Sequence, residues 1–164
     1  MSKATPYWDD VEEGMELPAI HRGPIGTEEI VRFSAAVENY EQLHHDYRWV
    51  TEHGFADIPI NGPLKYAILA TLMTEWIGED GFLKKVACSH RGMDHPGHTL
   101  TAKGKVTGKR IEGGLGYVDC EIWIENQKGE ITSPGSATAV LPMRGEGQVP
   151  LEYPVPLGYA DLLR

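Results

Sequence analysis

The residues best suited to chemistry lie between Phe33 and Leu64. A polar loop carries His44, His45 and Asp46. It runs into Gly54-Phe55, then into Ile60-Asn61-Gly62-Pro63-Leu64, after which the chain is almost wholly apolar as far as Trp76. Imidazole moves protons near neutral pH. The start of a helix offers unbonded amides and the positive end of its dipole. A histidine loop just before a buried helix therefore suits acid/base chemistry on a carbonyl compound. Five residues before His44, where a carboxylate base would help most, stands Asn39. An amide can hold water by hydrogen bonds but cannot take its proton.

The elements that must position these groups are legible from periodicity and punctuation. Gly14 to His21 reads as a first strand, and the residues before it as a loosely packed start. Thr27 reads as the cap of a first helix, with Glu28 and Glu29 in its first turn and Ile30, Phe33 and Val37 on one face. That helix should end near Asn39. A short helix over Tyr47 to His53 should close at Gly54. The central helix spans 63–77, opened by Gly62-Pro63 and ended by Gly78. Leu64, Ile68, Leu72 and Trp76 form one row; Leu69, Met73 and Ile77 form its neighbour; Lys65 falls among the few polar positions. A helix apolar around most of its circumference is enclosed by other structure.

From Phe82 the period changes to two. The alternating sets are Leu100, Ala102, Gly104, Val106; Val118, Cys120, Ile122, Ile124; and Ile131, Ser133, Gly135, Ala137, Ala139, Leu141. These are half-buried antiparallel strands, joined at Gly113-Gly114 and at Asn126 to Gly129. The simplest object is one domain over residues 1–164, with an antiparallel sheet around the helix of 63–77 and residues 142–156 lying over the surface. The alternation of Val118 to Ile124 supports extension of that sheet across a dimer.

Composition narrows the partners. The chain has 164 residues, is 41% hydrophobic and carries a formal charge of −9. That charge argues against nucleic acid or an anionic membrane as partner. Its 11-residue apolar run, Tyr66 to Trp76, is too short to span a bilayer. No signal peptide is expected at the acidic N-terminus, which implies a cytoplasmic protein. Cys88 and Cys120 fit no disulfide framework or metal spacing and read as inert buried thiols. His90, Arg91, His95 and His98 lack a zinc-like pair pattern, so no metal is expected. A basic patch, Lys103, Lys105, Lys109 and Arg110, reads as a solvated strand face or as a seat for a small phosphorylated ligand.

The segment Asn39-Tyr40-Glu41-Gln42-Leu43-His44-His45-Asp46, then Gly54-Phe55, then Asn61-Gly62, resembles the motif of the MaoC-like acyl dehydratases, or (R)-specific enoyl-CoA hydratases. Pro96-Gly97-His98-Thr99-Leu100 resembles that family's strand-opening turn, and Trp8 to Pro18 its first strand. The resemblance implies an α+β hot-dog fold. It also implies addition or removal of water at the β-carbon of an enoyl- or 3-hydroxyacyl-CoA, with no cofactor beyond the coenzyme A of the substrate. By that likeness His44 matches the catalytic histidine, Gly62 the glycine whose amide faces the thioester carbonyl, and Asn39 the catalytic aspartate. Asn61, Phe55 and Asp46 become substrate-pocket residues, with Asp46 also a loop anchor. Lys103 and Lys105 become contacts for the phosphates of coenzyme A. Three readings follow: a hydratase or dehydratase; a non-catalytic subunit that pairs with another hot-dog chain, favoured by Asn39; and an acyl-CoA thioesterase. A homodimer or heterodimer is expected, since a lone sheet of this kind leaves an edge uncovered.

Overall fold

A computed structural model describes residues 5–146 and residue 149. The central helix forms where its punctuation places it. This helix, α3 (Gly62–Ile77), has Pro63 in its first turn and ends at Gly78, whose φ of 66° suits a residue without a Cβ. Its Leu64, Ile68, Leu69, Leu72, Met73 and Ile77 are buried. Removing each such side chain from water is worth about 1.5–3 kcal/mol.

The partners of α3 are strands β1 (Ile20–Arg22), β2 (Phe82–Cys88), β3 (Leu100–Glu112), β4 (Leu115–Asn126) and β5 (Ile131–Leu141). They form one antiparallel sheet in the order β1-β3-β4-β5-β2. The even-numbered residues of β3 from Leu100 to Val106, and Val118, Cys120, Ile122 and Ile124 of β4, are buried. Their apolar members join α3 in one core. The β3–β4 turn closes on Gly113 and Gly114, both with positive φ, as a two-residue hairpin demands. Cys120 is buried and its thiol is pushed up to about 12 by burial and by Asp119; Cys88 is half-buried and raised by burial.

Several expectations need correction. The first helix, α1 (Thr27–Ala36), is preceded by Gly26 as its cap, and Thr27 is already helical. The Thr27 hydroxyl thus comes one position too late to cap. Nor does α1 reach Asn39. The Glu38 amide bonds the Ala35 carbonyl and the Asn39 amide bonds the Ser34 carbonyl, a Schellman closure with Glu38 in the left-handed region at φ 54°. Replacing Glu38 by Gly should therefore stabilise the fold by about 1 kcal/mol, read as a rise of roughly 2–4 °C in thermal midpoint; an unchanged or lower midpoint contradicts this account of the turn.

The expected strand over Gly14 to His21 is reduced to β1 plus an isolated bridge from Glu16 to Lys105. Pro18 between them has no amide to give to the ladder. The stretch from Trp8 likewise opens as a 3₁₀ turn (Trp8–Asp10), not as a strand. Nor is the start loose throughout. Val11 is buried, the Trp8 indole donates to the Tyr117 carbonyl, and the Lys109 ammonium sits 3.8 Å from the centre of the Trp8 ring. Ile131 is 54% exposed, not inward. The β4–β5 register skips Thr132, so Ile131 pairs with outward Glu125 while Thr132 turns in. Val118 to Ile124 belongs to β4, paired on both sides, and cannot extend the sheet; the edges are β1 and β2. Of residues 142–156, Pro142 accepts from the Trp8 amide, while 147, 148 and 150–156 lie outside the described residues.

Candidate functional site

His44 ends a 3₁₀ turn (Gln42–His44) in the connection from α1 to α3 and is only 9% exposed. Its Nδ1 lies 2.9 Å from the Pro59 carbonyl oxygen. A carbonyl only accepts, so Nδ1 carries the proton of this bond. In the neutral ring that leaves the lone pair on Nε2, the form of imidazole that can take a proton. The turn is held by Asp46, whose carboxylate accepts from the Trp49 amide at 3.0 Å and caps α2 (Tyr47–Glu52). Asp46 is therefore engaged as a loop anchor. The helix closes at Gly54, and Phe55 packs against the core. His45 and His53 are exposed.

The stretch from Ile58 to Gly62 is gripped from several sides. His95 Nδ1 meets the Ile58 carbonyl at 3.3 Å, His44 meets that of Pro59, and the Ile60 amide donates to the Asp94 carbonyl at 2.7 Å. Asn61 is fully buried. Its Nδ2 lies 3.0 Å from the Ser34 hydroxyl, and its Oδ1 has no hydrogen-bond partner among the described residues. Asn61 is the N-cap of α3 but its side chain caps nothing; its carbonyl accepts from the Lys65 amide. Gly62 is thus the first helical residue, with no intrahelical partner for its amide. The ring of His90 lies against it: a Cβ on Gly62 would come within 2.7 Å of His90 Cδ2 and 2.8 Å of Nε2. Only glycine fits there without displacing the imidazole. Burial and the Lys65 charge both hold the His90 pKa below the usual imidazole value.

Asn39 is tied to its own turn. Its Oδ1 accepts from the Glu41 amide at 3.3 Å. It lines an open cleft of about 430 Å³ with Glu38, Tyr40, Glu41, Gln42 and Trp49. The two residues share one connection, but no direct hydrogen bond joins them. Lys103 is paired with Glu125 at 2.8 and 2.9 Å, Lys109 donates to the Trp8 and Val11 carbonyls, and Arg110 pairs with Glu112 and Asp119. Lys105 is exposed. His90, His95 and His98 are spread along the loop after β2, and among the described residues no group of three His, Cys, Asp or Glu side chains could hold a metal ion.

Sequence reasoning missed the ion pair beneath this site. Lys65, read only as one of the few polar positions of the helix, is 2% exposed, and its ammonium bonds Asp94 Oδ2 at 3.0 Å and the Gly92 carbonyl at 2.9 Å. Asp94 is wholly buried. It also accepts from Thr132 at 2.6 Å and lies 3.4 Å from both Asn126 Nδ2 and His98 Nδ1. Burial alone would push the Asp94 carboxyl up, but the Thr132 hydroxyl, the Lys65 charge and His98 outweigh it and hold it below the ordinary carboxylate value. One signal was available. Lys65 falls at i−3 from Ile68 and i−4 from Leu69, on a face that helical spacing buries. A lysine there requires an acid.

Against known proteins, no family model matches the sequence and no curated protein sequence does. Solved structures do match in fold. The (R)-hydratase from A. caviae involved in PHA biosynthesis aligns at a TM-score of 0.72 and 21% identity, over 81% of this chain and 98% of that one. The R-hydratase PhaJ1 from Pseudomonas aeruginosa aligns at 0.74 and 18% identity, over 84% and 86%. A chain of the ChsH1-ChsH2 complex from Mycobacterium tuberculosis aligns at 0.70 and 19% identity, over 79% and 98%. At these identities the likeness establishes the α+β hot-dog fold, an antiparallel sheet around a central helix.

Proposed function

We propose that this chain is a hydratase or dehydratase that adds or removes water at the β-carbon of an enoyl- or 3-hydroxyacyl-CoA. The observation that carries the reading is His44: buried, its Nδ1 committed to the Pro59 carbonyl, its Nε2 lone pair left for a proton, on the connection that leads into the start of α3. In hydration, Nε2 takes a proton from water as the water oxygen bonds the β-carbon. The double-bond electrons shift onto the α-carbon and thioester oxygen, and the α-carbon then takes the proton that Nε2 has removed from the water, which restores the neutral ring. Elimination runs the same path backwards. Charge builds on the thioester oxygen, and the Gly62 amide, at the positive end of a 16-residue helix, opposes it. Asn39 supplies a hydrogen bond to water rather than a base. Phe55 lines the acyl side, with the buried Asn61 behind the site. Of the cations offered to the coenzyme A phosphates, Lys105 is the freer, since Lys103 must first leave Glu125.

A second reading has its own observation. The Asn39 side chain carries no negative charge and bonds Glu41 rather than His44. That suits a subunit whose chemistry lies on a partner hot-dog chain, joined through a sheet edge such as β2; a second copy of this chain is the simpler partner. Among the described residues no helix is long and apolar enough to cross a membrane.

Asn39→Asp separates the readings. An enzyme that works with a weakened base should hydrate crotonyl-CoA about tenfold faster or more once the carboxylate is supplied, read as loss of enoyl thioester absorbance. A silent parent awakened by the same substitution favours the subunit reading. A substitution that leaves an active parent unchanged removes Asn39 from the mechanism.

A further inference from the structure

Resting on the hydratase reading, we propose that His90 is a second catalytic imidazole, whose Nε2–H joins the Gly62 amide as a two-donor pocket for the thioester oxygen. Three observations converge. First, the Cα–Cβ bonds of a helix tilt toward its N-terminus. The Cδ2–Nε2 edge that fills the space of the missing Gly62 Cβ therefore lies over the helix end, where the unbonded amides point. Second, His90 Nδ1 is 3.1 Å from the hydroxyl of Ser133, which is fully buried. When that hydroxyl donates to Nδ1, the ring proton sits on Nε2, the edge that faces Gly62. Third, the neighbouring Asn61 amide oxygen is fully buried with no partner among the described residues. A packed core rarely leaves such an acceptor unpaired, which marks this helix end as polar and incompletely satisfied.

The environment favours the neutral ring that this role needs. Burial and Lys65 disfavour a charged imidazole at His90. A neutral Nε2–H can strengthen its bond as the oxygen gains charge without holding a proton to lose. His90 is itself exposed, so a substrate can reach the ring. Because the donor acts on charge that develops in the transition state, its loss should fall on kcat more than on KM.

The test compares the parent with His90→Phe and His90→Gln. Phe keeps the ring plane without a donor, and Gln returns an N–H near the position of Nε2. Nitrogen-15 spectra of the parent should show His90 as the Nε2–H tautomer. On crotonyl-CoA, His90→Phe should lower kcat by about 10²-fold, His90→Gln should recover most of the loss, and thermal midpoints should stay close to that of the parent. An Nδ1–H tautomer, a Phe variant as fast as the parent, or a Phe variant faster than it (the ring then being a plug) overturns the proposal. Infrared spectra of bound butyryl-CoA labelled at the carbonyl carbon keep the two ideas apart. If the parent hydrates nothing, yet lowers the carbonyl stretch and the Phe variant does not, the hydratase reading fails and the donor pocket stands. If butyryl-CoA does not bind, both fall.

Discussion

His44→Asn should lower the hydration of crotonyl-CoA by about 10²–10⁴-fold, the range for loss of a general base. Its thermal midpoint should stay within a few degrees of the parent. The choice of asparagine follows from the geometry. The side-chain Nδ2 of Asn stands near the place of imidazole Nδ1 and can still donate to the Pro59 carbonyl that His44 holds at 2.9 Å. What disappears is Nε2. His44→Ala should be equally inactive but less stable, because it strips the Pro59 carbonyl of its donor in a site where His44 is only 9% exposed. A His44→Asn variant that keeps the parent rate places the base elsewhere.

Lys65→Met should destabilise the fold by about 3–5 kcal/mol, the cost of leaving one partner of a buried pair uncompensated, or roughly 6–20 °C in thermal midpoint for a chain of this size. The Asp94 carboxylate left behind is wholly buried and keeps only Thr132, Asn126 and His98. Replacing both partners, Lys65→Met with Asp94→Leu, should recover much of the loss, since no buried charge then stands alone. The pair also holds the site, because the Asp94 carbonyl takes the Ile60 amide just before Gly62. Activity should therefore fall with stability. The pH dependence follows from the depressed Asp94 carboxyl. Folded Asp94 binds a proton less readily than an unfolded aspartate, whose pKa is about 3.9. The stabilisation is thus fully present above that value and is lost as pH falls through the lower folded value. Asp94→Asn should flatten the acid limb of a stability-against-pH curve. A parent curve with the same acid slope as the variant would remove Asp94 from the account.

The parts of this fold that can be read along the chain are those set by near neighbours. Pro63 and Gly78 bracket α3, and the two glycines of the β3–β4 turn fix that hairpin, because each acts on its own backbone. The errors lie where a distant group decides. Trp8 is docked by Tyr117, 109 positions away, and Lys65 is buried by Asp94, 29 positions away. Neither partner is marked by local spacing. Ile131 obeys the alternation of its strand, yet a register shift against Glu125 turns it outward. In the site, His44 and Gly62 stand out because a titratable loop meets a helix start. His90 does not, since its tie is to Gly62 and Ser133 on other elements. Asn39 is legible as a missing carboxylate, but the Schellman closure that sets its backbone depends on Glu38 adopting a conformation that glycine usually supplies.

The most direct test of the central claim is the fate of oxygen-18 when the purified chain meets crotonyl-CoA in labelled water. The account predicts that mass spectrometry finds the label in the hydroxyl of 3-hydroxybutyryl-CoA, and that His44→Asn removes it. Label in a free carboxylate would mean that the thioester is cleaved rather than hydrated. Label in the hydroxyl that persists undiminished in His44→Asn would contradict the assignment of His44 as the base.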